Sequence, residues 1–401
     1  MMPRGRARLY GLIAASLSAV PGVALAQSDI RVSADASANI GYSNNPFSET
    51  GNDTSSGVAD IQITPVVSLV NERSVFTLSG YAQYQQYFRR YDNAQNYSAA
   101  LNYNGTPTEH ITTHLGASFD NSIVGSNNGL NGAFDPTDPT PPPVTGSDLS
   151  LFGTRDRRRT FRTDGDATFI LSPRDTLTTS AYYVSTRFKN FGLFGDYDGY
   201  GGTAAYSRQI SDHLQLGGQG SIAKYDYKGP QGDSTIYSVR GSFSTDFGPR
   251  WKADGALGVS FVKDASRGGT NSTLSGNLNL CRVAERANLC IKASRSVVPT
   301  GVSGTQTETA IGANYSYKLS ERGTLFANAD YVRNGSNQLL LPGLTGRNQY
   351  LNASIGYERY VRERVRIITT GRYRDVYGAN GNRAADYGGQ IGVAIKFGDK
   401  K

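Results

Sequence analysis

Hydrophobic and polar positions alternate along most of this chain, and the alternation comes in short runs. Between Ile30 and Tyr42, residues Ile30, Val32, Ala34, Ala36, Ala38, Ile40 and Tyr42 share one parity. Arg31, Ser33, Asp35, Ser37 and Asn39 share the other. Side chains alternate across a strand, so such a run predicts one apolar and one polar face. Ile61, Ile63, Pro65, Val67 and Leu69 repeat the pattern. The last run sets Tyr387, Gly389, Ile391, Val393, Ile395 and Phe397 against Gly388, Gln390, Gly392, Ala394 and Lys396. About eighteen segments of this kind are expected, with sixteen as the alternative count. Each is near the roughly 9–11 residues a tilted strand needs to cross a bilayer.

The connections between segments sort by parity. Tight turns are expected at 71–74, 106–109, 172–175, 211–213, 248–250, 283–286, 320–322 and 362–363. Longer loops are expected at 43–57, 89–96, 121–159, 188–197, 228–233, 263–270, 297–307, 334–348 and 377–385. Short periplasmic turns alternating with longer outer loops mark an outer-membrane barrel. The expected fold is therefore all-β: a transmembrane antiparallel up-and-down β-barrel with both termini in the periplasm. Lipid would contact its outer face.

The N-terminus agrees with export. Arg4, Arg6 and Arg8 precede a short apolar core, Leu9 to Val20, and Ala24-Leu25-Ala26 offers a small-x-small cleavage site. Residues 1–26 read as a cleaved signal peptide and 27–401 as one barrel domain. The 401 residues include 47 Gly and 25 Tyr but only 2 Cys and 2 Met. No run of eighteen apolar residues occurs in the mature region, and a barrel needs none. The formal charge of +8 falls to about +5 without the three signal-peptide arginines. In an exported protein this favours a mildly basic lumen or surface over nucleic-acid binding.

If apolar side chains face lipid, the other parity faces the lumen. It includes Arg162, Asp164, Asp166, Arg240, Lys252, Lys292, Glu358, Arg366, Arg372 and Arg374. Arg364, Arg366, Arg372 and Arg374 share a parity and read as a basic ladder. Two interiors fit: a water-filled passage favouring anions, or a packed interior of Arg–Asp pairs. The long loop 121–159 ends in Arg155-Asp156-Arg157-Arg158-Arg159. Arg155, Arg157, Arg158 and Arg159 would form a basic rim if it folds inward; its Pro, Gly and Asn content also suits a surface loop. Tyr and Phe cluster near strand ends, including Tyr81, Tyr84, Phe88, Tyr97, Tyr182, Tyr183, Tyr225, Tyr227 and Tyr387. Interfacial girdles predict this, as does plain strand propensity.

Cys281 and Cys290 are spaced to face each other across a hairpin, as a disulfide or as two buried thiols. The three His, His110, His114 and His213, accompany no nucleophile, phosphate loop or metal motif. No enzyme activity, metal or cofactor is expected.

Near the chain end, Gln390-x-Gly392-x-x-Ile395-x-Phe397 resembles the signal by which the barrel assembly machinery recognises its clients. Four residues, Gly398 to Lys401, follow it. Ala38-Asn39-Ile40-Gly41-Tyr42-Ser43-Asn44-Asn45-Pro46-Phe47 resembles the first-strand signature of the β-barrel porin 2 family. Ile63-Thr64-Pro65-Val66-Val67-Ser68-Leu69, the aromatic run Tyr81 to Tyr91 and Gly371-Arg372-Tyr373-Arg374 fit the same family. The resemblance spans about residues 28–397. It implies an outer-membrane conduit for an exopolysaccharide, acidic if the lumen is basic, working with a periplasmic polysaccharide export protein. Diffusion of small solutes and a plugged structural or adhesive barrel are the alternatives.

Overall fold

The computed structural model describes residues 29–126, 149, 151–189, 195–229, 232–264, 269–301, 304–335, 349–377 and 384–398. The export signal expected over 1–26, most of the long loop (127–148) and the tail 399–401 lie outside the described residues. Eighteen strands follow one another. They are β1 (Asp29–Ser43), β2 (Ser56–Asn71), β3 (Ser74–Tyr87), β4 (Ala94–Thr108), β5 (Ile111–Ile123) and β6 (Arg157–Ser172). Then come β7 (Asp175–Phe188), β8 (Tyr197–Ser211), β9 (Leu214–Tyr227), β10 (Ser234–Asp246), β11 (Trp251–Asp264) and β12 (Thr270–Val283). The last are β13 (Ala287–Thr300), β14 (Gly304–Ser320), β15 (Gly323–Asn334), β16 (Gln349–Arg362), β17 (Val365–Tyr377) and β18 (Asp386–Gly398).

Each strand pairs antiparallel with the next, and β18 closes on β1 from Ser33 opposite Gly398 to Ser43 opposite Gly388. Closure leaves no strand edge, the condition for β-structure inside hydrocarbon. This is a closed transmembrane barrel of the expected kind, and the count is eighteen.

Parity sets the two surfaces. Ile61, Val239, Leu257 and Ile391 stand exposed on the outside, with Leu257 65% accessible. Withdrawing one such side chain from water is worth about 1.5–3 kcal/mol. A continuous apolar belt around the whole wall is stable only when covered, and lipid covers it. The strands run from 12 residues in β15 to 17 in β14, longer than a bilayer requires, so their ends stand beyond the hydrocarbon.

Two local features show why particular residues sit where they do. Pro65 interrupts β2 without a clash because Gly80 on β3 leaves space beside its ring. At the closing seam Gly392 lies beneath the Asn39 side chain. A Cβ there would overlap Asn39 and approach the Ala38 carbonyl at 2.7 Å. The glycine of the assembly-signal pattern thus has a packing role at the closure.

The connections are short at one end, termed the turn end, and mostly longer at the other, the loop end. One expected loop, 297–307, is instead mostly strand: β13 reaches Thr300 and β14 begins at Gly304. Pro299 pairs opposite Thr305, one step before the ladder ends. Proline is tolerated at such a terminal position, although in sequence it looks like a breaker. The aromatic girdle is also thinner than expected. Tyr84, Phe88, Tyr97 and Tyr387 point outward, whereas Tyr225 and Tyr227 are buried inside. Cys281 and Cys290 sit directly opposite each other on β12 and β13 and form a disulfide.

Candidate functional site

The interior is built by the polar parity of every strand. Directly paired residues share a face, so the registers carry this face around the wall. Asp35 faces Lys396, Arg372 faces Gly388, and Arg374 faces Asp386. From β1 to β5 the inward side chains join in a hydrogen-bonded belt. Asn39 donates to Asp60 at 3.0 Å and Gln83 donates to Asp60 at 2.6 Å. Asn96 donates to Gln83 at 3.1 Å and accepts from the Ile123 amide. Buried polar groups cost free energy unless paired, so this belt ties five strands together on the inside.

The basic ladder is not a free row of charge. Arg366 lies 2.8 Å from Asp35 and 3.5 Å from Glu358. Arg372 and Arg374 flank the buried Asp386 at 3.4 and 2.9 Å. Arg364 sits in the turn between β16 and β17. Along these strands the packed Arg–acid arrangement holds, in place of an open basic track. Arg162 pairs with Asp164 at 2.9 Å. His114 stands 3.4 Å from Asp166 and 3.8 Å from Asp164. Lys292, on β13 opposite Asn279 and Gly312, shares the inward face, as does Lys252, which is near Asp246 at 3.7 Å. Arg240 also points inward.

The four arginines expected at one rim divide. Arg155 lies at the loop end, 3.2 Å from Glu49 and within cation–π range of the Phe47 and Tyr91 rings. Arg158 faces inward opposite Ser122 and Phe188. Arg157 and Arg159 have the outward parity. Arg157 bonds Asn121 and the Gln95 carbonyl from outside, and Arg159 is exposed. Strand alternation begins at Arg157 and forbids a common rim.

The loop end of the interior is crossed. Leu149, Leu151 and Phe152, which precede β6, are buried against Phe188, Val332, Tyr350 and Val376. The last three belong to β15, β16 and β17, on the far side of the barrel from β6. Phe152 meets Tyr350 edge-on at 5.4 Å. Arg374 reaches from β17 to the Gly125 carbonyl at 3.0 Å and to the Pro46 carbonyl at 2.8 Å. Phe47, from the first loop, packs on Val58, Tyr87, Tyr91 and Ala94. Tyr91 donates to the Thr54 carbonyl at 2.7 Å, and burial pushes its phenol up to about 12, so it stays a neutral donor. A third cluster, Tyr197, Tyr225, Tyr227 and Ile236, packs with Val297, and Tyr227 bonds the Gly304 carbonyl across the interior. Some inward side chains, Asn277 among them, are accessible to water. Toward the turn end Phe326, Ile368 and Ala394 instead form a buried inward cluster on β15, β17 and β18. The interior is polar and part-filled, and it is bridged from wall to wall near the loop end.

Apart from Arg374, these bridging residues were not among the expected site residues. The signal that could have found them is the apolar stretch Leu149-Ser150-Leu151-Phe152 within an otherwise polar loop. Gln390 and Gly392 face the interior and Ile395 and Phe397 face outward, as their parity requires.

No protein-family profile and no curated protein matches the chain. Among solved structures, a BenF-like porin from Pseudomonas fluorescens is similar at TM-score 0.47 and 9% identity, over 92% of this chain and 99% of that one. OprD from Pseudomonas aeruginosa gives TM-score 0.44 and 9% identity over 94% and 98%. The siderophore receptor PirA from Pseudomonas aeruginosa gives TM-score 0.45 and 12% identity over 92% and 81%. The resemblance to the β-barrel porin 2 family rests on its quoted residues alone.

Proposed function

We propose that the chain is an outer-membrane channel for small polar solutes, with its turn end in the periplasm and its loop end outside. The observation that carries this reading is the interior itself. A largely polar lumen, with water-accessible side chains such as Asn277, meets a bridge at the loop end formed by Phe47, Gly125, Leu149, Leu151 and Phe152. A polymer in transit needs a continuous wide passage and weak contacts along its whole length. The bridge and the neutralised arginines favour small cargo over an acidic exopolysaccharide. Lipid is the partner of the apolar belt. The seam strand, through Gln390, Gly392, Ile395 and Phe397, is the proposed contact with the assembly machinery.

Proteoliposome swelling tests the proposal. Pentose and hexose are expected to permeate at rates that fall with size, and oligosaccharides to be excluded. Equal passage of hexose and a long oligosaccharide would overturn it in favour of polymer export. No permeation by any solute would overturn it in favour of a plugged scaffold.

A further inference from the structure

The inward arginines of β10 and β17 differ in what faces them. Arg366, Arg372 and Arg374 all have carboxylates within 3.5 Å. Arg240, on β10, has none among the described residues; its Nε, like that of each of those three, is buried without a hydrogen-bond partner. It opens onto a cavity of about 210 Å³ between β7–β11 and β13. A liquid water occupies about 30 Å³, so the space holds several waters or one small organic molecule. No carboxylate lines it.

The lining has two characters. Ser221, Ser238 and Ser260 present hydroxyls around Arg240, with Ser238 and Ser260 bonded to each other at 2.7 Å. Ile236, Val297 and the ring of Tyr225 supply an apolar side. The Tyr225 hydroxyl is already engaged by Tyr182 at 2.8 Å, so its ring is held in place. A guanidinium beside hydroxyls matches the planar geometry of a carboxylate. An apolar wall on the far side of the same space matches a short hydrocarbon tail.

We infer that this cavity is a binding subsite for a small organic carboxylate, with its head on Arg240 and its tail against Ile236, Val297 and Tyr225. The inference deepens the channel reading by assigning a cargo class. It is tested by binding, so it stands or falls separately from permeation.

The experiment uses the full mature chain refolded in detergent, with butyrate as the probe and ligand-observed NMR titration as the readout. Butyrate is expected to bind saturably. Butanamide, the same size and neutral, is expected to bind roughly tenfold or more weakly, the scale of a charge-assisted hydrogen bond. Inorganic phosphate, which lacks the tail, is expected to bind more weakly than butyrate. Arg240→Gln should lose affinity by a similar factor, and Arg240→Lys should recover part of it. Arg366→Gln, whose guanidinium is already neutralised, should bind as the wild type does. Equal binding of butyrate and butanamide, unchanged affinity in Arg240→Gln, or absence of saturable butyrate binding would each overturn the assignment. If Arg240→Gln fails to fold, the butanamide comparison and Arg240→Lys decide.

Discussion

Replacing Arg374 by methionine should loosen the bridge at the loop end while leaving the barrel closed. Arg374 is 4% exposed and serves three acceptors: Asp386 on β18, the Pro46 carbonyl of the first loop and the Gly125 carbonyl after β5. Methionine keeps most of the volume and removes every donor. Breaking a buried ion pair costs about 3–5 kcal/mol when the remaining charge is stranded. Asp386 is not stranded, because Arg372, the Ser43 hydroxyl and the Asn45 amide remain beside it. The low end, about 3 kcal/mol, therefore applies. Two of the three bonds hold loop carbonyls, so about 2 kcal/mol of it falls on the bridged form. A coupling of about 2 kcal/mol is about a 30-fold change in the ratio of bridged to open forms. Planar-bilayer recording reads this ratio as the fraction of time spent conducting. Arg366→Met is the control. Its partners Asp35 and Glu358 lie on strands toward the turn end and touch no loop. Recordings of Arg374→Met that match wild type, or equal opening by Arg366→Met, would refute the reasoning.

Placing arginine at Leu257, on the lipid face, should cost about 2–4 kcal/mol, read as a lowered urea midpoint for folding into vesicles. The same change at Asn277, which pairs beside it on β11–β12 but faces the lumen, should cost close to nothing. Gly392→Val should prevent β18 from closing on β1, because the new side chain occupies the space of Asn39. The loss appears as failure of the barrel to resist heat on an unboiled gel. Removing the Cys281–Cys290 disulfide by a double serine substitution should lower stability by about 2–3 kcal/mol for so short a loop. Denatured wild-type protein should then show no free thiol on titration.

The barrel was legible because alternation is a local signal. Ile30 to Tyr42 and Tyr387 to Phe397 each carry their own two faces, and a closed sheet in lipid repeats them without exception. The pairing of those two strands followed from the need to leave no open edge. Parity also placed Arg240, Arg366, Arg372 and Arg374 inside. It could not reveal their partners. Arg366 meets Asp35 across the β18 strand, and that distance depends on register around the closure. The bridge was harder still, because Leu149, Leu151 and Phe152 are apolar within a loop and their partners Val332, Tyr350 and Val376 are far along the chain. Residues 297–307 misled for a local reason: Pro299 and Gly301 look like a loop, and the ladder runs through Pro299 to its end at Thr300.

The central claim is that a closed barrel is bridged from wall to wall near its loop end, and paired cysteines at Phe152 and Tyr350 test it most directly. The two rings touch across the interior, at 5.4 Å between centroids. In the membrane-inserted protein, Phe152→Cys with Tyr350→Cys should be joined, loop to β16, by a short bifunctional maleimide, which spans the space the two rings fill. Two separate thiols, each open to a bulky maleimide and never joined, would contradict the bridge and the small-solute channel built on it.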